Sequence, residues 1–302
     1  MTFDGAAFTK TPKWGLVLPN FGPLSDTRVL ADLAGVAEAA GWDGVFLTDT
    51  IQMEGTEASP ASDPWIDLAA IALGTERIRL GLMVTAVTRY RPWHLARLAA
   101  TVDHLANGRL ILGVGSGDPH DRAFAAFGEE MDPTRRGAML DESLAILDGL
   151  WSGTPFRHDG AHYTVDEITL LPTPVQQPRI PIWVGWTWPN RRPMVRAARW
   201  DGAVPFAIAP DGSYADLTAN DIRELKRFVG QRREPGAPFD IVSYGPALAA
   251  SVDDDALATL RATARAGATW IVDFVPPDTD LSTLREALRR GVPSLAPELA
   301  AS

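Results

Sequence analysis

The chain has 302 residues, no cysteine and a formal net charge of −10, from 28 Lys and Arg against 38 Asp and Glu. The absence of cysteine excludes disulfides, thiolate metal sites and a cysteine nucleophile. The acidic balance and the scattered arginines argue against a nucleic-acid partner. The sequence has neither an apolar run long enough for a membrane span nor a basic start followed by an apolar stretch, so we expect no membrane partner, no signal peptide and a cytoplasmic location.

Apolar runs typical of buried parallel strands alternate with amphipathic helical segments along the chain. The predicted strands are residues 14–19, 44–48, 78–87, 110–114, 180–185, 202–206, 239–244 and 270–275. The predicted helices are residues 28–40, 64–73, 93–107, 135–151, 191–199, 219–231, 256–266 and 283–290. Eight βα units in about 250 to 300 residues are the size and order of a TIM barrel, so the predicted fold class is α/β, a (β/α)8 barrel.

The longest departure from this alternation is residues 118–179, between the fourth and fifth strands. It holds the long helix 135–151 and then Asp159-Gly160 between two short β-prone runs, which predicts a hairpin. We expect one domain over residues 1–302, with 118–179 as an insertion and lid region. Residues 1–12 and 292–302 lack a clear period and are expected to be peripheral arms.

The fourth strand runs into a glycine cluster, Gly113-Val-Gly115-Ser116-Gly117-Asp118. Ligands of such barrels gather at the carboxyl ends of the strands. Glycines there let a phosphate or a flat aromatic ring approach the backbone, and Ser116 and Asp118 supply polar groups. The alternative is that the small residues only let the strand bend. The cluster does not match a dinucleotide-binding fingerprint, because the third glycine and the helix start are missing.

Polar residues follow other predicted strands. Asp49 follows the second strand and places a carboxylate at the rim, although it could instead cap a helical turn. Asn20 follows the first strand, and Arg191 and Arg192 begin the fifth helix, where guanidinium groups could bind a phosphate. No metal site is predicted: His120 lies within four residues of Asp118 and Asp121, and His158 and His162 are spaced i, i+4, but Gly160 between the latter two argues against a helix there. No GxSxG motif is present, so a serine hydrolase has no support.

Several segments follow one another along the chain: LPNFG, GWDGVFLTDT, RIRLGLMVTAVTRYRPW, GRLILGVGSGD, DPTRRGAMLDESLAILDGLWSG, and PRIPIWVGW followed by RAARWDGAVP. In order and spacing they resemble the bacterial luciferase-like flavin-dependent oxidoreductases. The resemblance covers residues 14–206 well and the last two βα units weakly. It implies a TIM barrel that binds FMN or the deazaflavin F420 at the carboxyl ends of its strands, and it implies a homodimer.

The resemblance also assigns expectations to single residues. It implies that Asp49 lies near the ring, and that Asp118 replaces a glutamate that donates a proton. Thr50 stands where the sugar-phosphate dehydrogenases of the deazaflavin branch have a histidine implicated in catalysis, which argues against that activity. A bulge or non-proline cis peptide is implied at Met83–Val84, behind the ring. Further cofactor contacts are implied at the ends of the third and fifth strands, at Thr85, Thr88, Arg89 and Tyr90, and at Gly185 and Trp186.

These observations predict an oxidoreductase that transfers a hydride between F420 or FMN and a small organic substrate. The sequence leans toward the deazaflavin, and an FMN enzyme could be a monooxygenase. Asp118 would exchange a proton with the substrate, while Asp49 and Asn20 would line the pocket. Two alternatives stay open, a non-catalytic flavin-binding barrel and a cofactor-free barrel lyase or isomerase. The latter would lack a lysine on any predicted strand for Schiff-base chemistry.

Overall fold

The computed structural model describes residues 11–53, 59–118, 120–209, 214–249 and 253–295. Eight parallel strands close into a barrel, because the last barrel strand pairs with the first and no open edge remains between them. In chain order the strands are Lys13–Leu18 (β1), Gly44–Leu47 (β2), Arg79–Ala86 (β3), Leu110–Gly115 (β4), Phe156–Asp159 (β5), Thr164–Ile168 (β6), Ile182–Thr187 (β7), Gly202–Ile208 (β8), Tyr214–Ala215 (β9), Asp240–Tyr244 (β10) and Trp270–Phe274 (β11). The barrel contains β1, β2, β3, β4, β7, β8, β10 and β11.

Helices follow the barrel strands and cover them. They are Thr27–Ala39 (α1), Pro64–Gly74 (α2), Pro92–Leu105 (α3), Ala123–Ala126 (α4), Pro133–Trp151 (α5), Arg191–Ala197 (α6), Ala219–Gly230 (α7), Asp254–Ala266 (α8) and Leu281–Arg289 (α9). Proline occupies the first turn of α2, α3 and α5, where its missing N–H is not needed. The starts of α1, α2, α5, α8 and α9 are capped by aspartates, whose carboxylates accept backbone N–H bonds.

Two hydrophobic layers follow from the alternation of side chains along each strand. The inner layer fills the barrel, and the outer layer packs between the strands and the helices. Large rings close the middle of the barrel, because Phe46, Trp183 and Trp270 contact one another at centroid distances of 5.3 to 5.7 Å. The inner layer comprises Val17, Phe46, Met83, Ile111, Trp183, Val204, Val242, Trp270 and Val272.

The predicted (β/α)8 barrel is confirmed, because each predicted strand overlaps one barrel strand. The hairpin predicted around Asp159-Gly160 is also present, with β5 and β6 paired antiparallel. Its turn lies against α5, where the Glu142 carboxylate accepts N–H bonds from residues 161–163 at 3.0 to 3.2 Å. The two-residue strand β9, which pairs antiparallel with the end of β8, was not predicted, since two residues are too few to show a period.

The described residues include only part of the two predicted arms. Residues 1–10 and 296–302 of those arms lie outside the described residues. Within the described part, Leu295 is buried in the outer layer. Among the helices that the structure describes, we found none with the length and apolar character needed to cross a membrane.

Two glycines of the fold should respond in opposite ways to the same added methyl group. A Cβ at Gly81 of β3 would lie 2.0 Å from the Ile111 carbonyl oxygen, whereas a Cβ at Gly35 of α1 would meet no atom within 4 Å. We expect Gly81→Ala to destabilise the fold by about 2 kcal/mol or more through overpacking. Gly35→Ala should stabilise it by roughly 0.5–1 kcal/mol through helix propensity. Urea unfolding measures both, and equal effects would contradict the close strand approach.

Candidate active site

One buried arginine joins three of the barrel's loops at the carboxyl ends of the strands. The Arg89 guanidinium, just after β3, lies 2.9 Å from the Asp49 carboxylate that follows β2 and 2.6 Å from the Asp121 carboxylate in the loop after β4. It also donates to the Asp49 carbonyl. All three side chains are at most 6% exposed. Because this buried cation has two anionic partners, its charge is compensated without solvent.

Each carboxylate of this network also accepts backbone N–H bonds. Asp49 accepts from the Ala86 N–H at 3.0 Å and from the Tyr90 hydroxyl at 3.2 Å. Asp121 accepts from Ile51, Gln52 and Ala123 at 3.1 to 3.2 Å. Burial raises the pKa of Asp49, and the Arg89 charge opposes that shift. The network therefore fixes the positions of these loops relative to the end of β3.

The ring of Phe124 lies beside this network. Its face contacts two guanidinium groups, those of Arg89 and Arg136, at 5.2 and 5.3 Å from the ring centroid. Gly117 approaches the same ring so closely that a Cβ would lie 2.1 Å from it, and Gly117 has a positive φ of 90°. Glycine is the residue that tolerates both conditions. Gly117 therefore allows the loop after β4 to turn over Phe124.

Val84 occupies the space that glycines leave at the ends of three neighbouring strands. The register of β3 against β4 shifts between Leu82 and Thr85, and the Met83–Val84 peptide bond is cis, as predicted. A Cβ at Gly115 or at Gly185 would lie 2.8 Å from a Val84 methyl group, and one at Gly113 would lie 3.3 Å away. The glycines thus make room for Val84, and the strand ends present an apolar surface without larger side chains.

The polar groups beside this surface differ in whether they have partners. The Thr88 hydroxyl donates to the Ser116 carbonyl at 3.1 Å, which joins the end of β3 to the loop after β4. Thr85 is fully buried, and its hydroxyl has no hydrogen-bond partner among the described residues. A buried hydroxyl without a partner is costly unless a ligand or water supplies one. A flat ring would fit against Val84, because glycines stand next to it on the neighbouring strands.

Asp118 stands at the border between β4 and the loop that follows β8. Its carboxylate accepts from the Tyr214 hydroxyl at 2.6 Å and from the His120 N–H at 2.9 Å, and the His120 Nδ1 atom lies 2.8 Å away. Burial acts to raise the pKa of Asp118, but these hydrogen bonds outweigh it, so the pKa lies below its ordinary value. The side chain stays 31% exposed. At neutral pH it is therefore an ionised and partly exposed carboxylate.

Three predicted site residues have other surroundings. Asn20 is fully buried, and its amide group bonds the Thr50 and Ser62 carbonyls, the Thr48 hydroxyl and the Thr50 N–H, so its hydrogen-bonding capacity is used within the protein. Trp186 packs in the outer hydrophobic layer. Arg191 is exposed at the first residue of α6. Their predicted contacts with a cofactor stay predictions.

Sequence reasoning missed two residues that organise the site. Tyr214 comes from β9, in a stretch without periodicity, and reaches Asp118 across the end of β7. A lone aromatic residue in the turn-rich segment IAPDGSYAD was the signal available. Asp121, in the loop after β4, proves to be the second carboxylate partner of Arg89. Among the described residues, we found no group of three or more His, Cys, Asp or Glu that could hold a metal ion.

The barrel fold agrees with the comparisons to known proteins. Residues 6–296 match the model of the luciferase-like monooxygenase family, and the chain belongs to this family. An F420-dependent tetrahydromethanopterin reductase of Methanopyrus kandleri has the same fold, with a TM-score of 0.72 at 15% identity, over 93% of this chain and 97% of that one.

Two relatives are named for different cofactors. An F420-dependent glucose-6-phosphate dehydrogenase of Nakamurella multipartita is 36% identical over 218 residues, which cover 70% of this chain and 60% of the relative. The oxygenase component of a flavin-dependent trigonelline monooxygenase of Acinetobacter baylyi is 29% identical over 161 residues, which cover 53% of this chain and 43% of the relative. The chain therefore matches less than two thirds of the length of either relative.

The fit of Val84 against the glycines predicts an energetic coupling. Gly115→Ala should destabilise the fold by roughly 1–3 kcal/mol, because its methyl group would overlap Val84. Adding Val84→Ala should recover part of that loss, with a favourable coupling of about 1 kcal/mol or more. Chemical denaturation of both single variants and the double variant measures the coupling. As a matched control, Gly74→Ala with Val84→Ala should be additive, since a Cβ at Gly74 meets no neighbour.

The hydrogen bond from Tyr214 predicts a change in the ionisation of Asp118. Tyr214→Phe removes one donor to the carboxylate, so the pKa of Asp118 should rise toward its ordinary value. Because the pKa in the folded protein is lowered, this interaction stabilises the fold above the ordinary pKa and is lost as pH falls through the lowered one. A carbon-13 NMR titration of the Asp118 carboxyl measures the pKa directly.

A control separates this bond from the other groups around Asp118. Tyr244→Phe alters a neighbouring ring that makes no hydrogen bond to Asp118 and should leave the titration unchanged. Asp118 also interacts with His120 and with the Arg136 guanidinium. An unchanged titration in Tyr214→Phe would assign the lowered pKa to those two groups.

Proposed function

We propose that the protein is an oxidoreductase that transfers a hydride between F420 or FMN and a small organic molecule. The observation that carries the proposal is the ionised Asp118 carboxylate in the loop after β4, the strand whose Gly115 forms the apolar surface together with Val84. The F420-dependent dehydrogenase among the relatives favours the deazaflavin. The flavin-dependent trigonelline monooxygenase component among the relatives supports the alternative, in which the cofactor is FMN and reacts with oxygen.

The cofactor would lie over this apolar surface. Val84 would contact the face of its ring, with Gly115 and Gly185 leaving the necessary space, and the Thr85 hydroxyl would donate to a polar edge. Arg89 and Asp49 would hold the loops around the ring, and Arg191 would approach the phosphate. Met83, Thr88, Ser116 and Gly117 would position the backbone beside it. When bound, the cofactor supplies the electron-pair acceptor or donor, and the protein supplies position and charge.

Asp118 would move the proton that accompanies hydride transfer. In the oxidation of an alcohol, an oxygen of the Asp118 carboxylate would accept the hydroxyl proton as the carbonyl forms. Its lowered pKa keeps it in the required ionised state at neutral pH. Tyr214 and His120 would hold the carboxylate in place, because each bonds a different oxygen. In the reverse direction the protonated carboxyl would return the proton to the product alkoxide.

Finer features of the assembly are part of the proposal. We propose one domain over residues 1–302, a cytoplasmic location and a homodimer. Exposed apolar side chains at seven-residue spacing on the neighbouring helices α2 and α3 support a dimer through that face; they are Ile66, Leu73, Leu98 and Leu105. Residues 118–179 would form an insertion, in which the loop after β4 would cover the site while the β5–β6 hairpin lies against α5.

The test begins with the cofactor. Purified protein should bind F420, and the absorption spectrum and mass of cofactor released from the protein should identify it. Asp118→Asn should keep the cofactor dissociation constant within a few fold while lowering turnover by about a hundredfold or more, as is usual for loss of a general acid or base. The asparagine side chain has nearly the same size as that of aspartate, but its amide cannot accept the proton.

Each outcome of this test would favour a different function. Binding of FMN with oxygen consumption would favour the monooxygenase. Binding of a cofactor without turnover of any donor would favour a non-catalytic flavin-binding barrel. Binding of neither cofactor would overturn the proposal and favour a cofactor-free lyase or isomerase. Full turnover by Asp118→Asn would remove Asp118 from the mechanism.

A further inference from the structure

Positive charge is distributed unevenly among the loops at the carboxyl ends of the barrel strands. By sequence, the loops after β8, β10, β11, β1 and β2 contain no Lys or Arg, and each contains at least one Asp; they are residues 209–218, 245–253, 275–280, 19–26 and 48–63. The loops after β3 and β4 contain Arg89, Arg91 and Arg122. The first four residues of the following helices add Arg28 on the first side, and Arg135, Arg136, Arg191 and Arg192 on the second.

The cation-poor side of the mouth carries aromatic and apolar side chains. Tyr214 is 62% exposed, and its ring meets the Phe206 ring edge-on at a centroid distance of 5.4 Å. Tyr244, at the end of β10, is close enough to Tyr214 that burial and this neighbour together raise its pKa. Ile208 and Phe274, at the ends of β8 and β11, are each 44% exposed. These residues lie at the ends of β8, β10 and β11 or on β9, and Tyr214 joins them to Asp118; we call them the apolar wall.

Two further carboxyl groups lie on the same side. Asp273, at the end of β11, accepts the Leu248 N–H at 2.7 Å. Burial and the neighbouring Asp216 raise the pKa of Asp273 to about 6. Above that pH Asp273 adds negative charge, with Asp118, to the field around the wall. No cation of the loops on this side offsets them, because those loops contain none.

We propose that this wall, defined as Phe206, Ile208, Tyr214, Tyr244 and Phe274, binds the substrate, and that the substrate is an uncharged or cationic organic molecule with an apolar body. The proposal rests on the proposed function in one respect, since it places the substrate next to Asp118. It excludes phosphorylated and carboxylated substrates, including sugar phosphates. The arginine-bearing side of the mouth is left for the negatively charged part of the cofactor.

The physical reason is the cost of an uncompensated negative charge. A phosphate or carboxylate on the wall would lie among carboxylates without a guanidinium or ammonium partner in the loops around it. Like charges brought together at a binding surface oppose association, and the effect grows where aromatic side chains exclude water. A neutral ligand avoids this repulsion, and a cation is attracted by the same carboxylates. Exposed aromatic faces favour cations further.

The experiment compares three aromatic alcohols of similar shape. They are 4-methylbenzyl alcohol, 4-(aminomethyl)benzyl alcohol and 4-(hydroxymethyl)benzoate, which are neutral, cationic and anionic at pH 7.5. Their dissociation constants are measured by calorimetry or ligand-observed NMR at low salt. We expect the anionic probe to bind at least about tenfold more weakly than the other two. Equal or tighter binding of the benzoate would overturn the proposal, and so would failure of all three to bind.

A charge reversal tests whether the selectivity comes from this side of the mouth. Asp216→Lys should strengthen binding of the benzoate by about tenfold and weaken binding of the aminomethyl probe, and Asp216→Asn should fall between. Asp159→Lys makes the same change on the remote β5–β6 hairpin and should leave all three constants unchanged. Circular dichroism checks that the variants fold. Selectivity that is unaffected by Asp216→Lys would place the substrate elsewhere and overturn the proposal.

The design separates this inference from the proposed function. Cofactor binding is measured on the same samples by absorbance, and the probes are titrated with and without F420. Absence of cofactor binding with the expected probe selectivity would overturn the proposed function and leave the charge preference of the wall in place. Cofactor binding together with a preference for the benzoate would leave the proposed function in place and overturn the charge preference of the wall.

Discussion

The ion pairs of Arg89 are the constraint on which the mouth of this barrel depends. One guanidinium group bonds Asp49 after β2 and Asp121 after β4, while its own backbone belongs to the end of β3. Three loops that are separated in the sequence are therefore joined by one buried charge. Removing either partner would leave that charge partly uncompensated, at a typical cost of about 3–5 kcal/mol. The loops consequently have defined positions before any ligand binds, which lowers the entropic cost of forming the site.

A steric constraint acts next to this electrostatic one. Arg89 follows β3 by only a few residues, and the same strand carries Val84 into the space left by Gly115 and Gly185. The Ala86 N–H donates to Asp49, so the end of β3 is held by Val84 packing on one side and by a carboxylate on the other. A side chain larger than glycine at either position would push β3 and displace the network with it. Packing and charge thus fix the same strand end.

The sequence predicted those parts of the molecule that depend on local pattern. The strands and helices follow from apolar runs and helical spacing, and glycines after β4 and an aspartate after β2 were recognised as residues of the mouth. Partners that come together from different loops could not be predicted, because no periodicity records them. Tyr214 reaches Asp118 from a loop 96 residues away. Asn20 illustrates the converse, since a polar residue at a strand end can be fully occupied by bonds within the protein.

The placement of charge around the mouth gives Asp118 a particular position. It follows β4, on the side that carries the arginines, yet its hydrogen-bond partner Tyr214 belongs to the side without them. The same field would draw an anionic cofactor to the side with the arginines and a cationic substrate to the side without them, where an uncharged substrate would meet no repulsion. The reacting atoms would then meet near the border, where Asp118 is the ionised group. Under the proposed function, the charge asymmetry of the loops and the position of this carboxylate would be two parts of one arrangement, in which electrostatics would select the ligands and orient them toward Asp118.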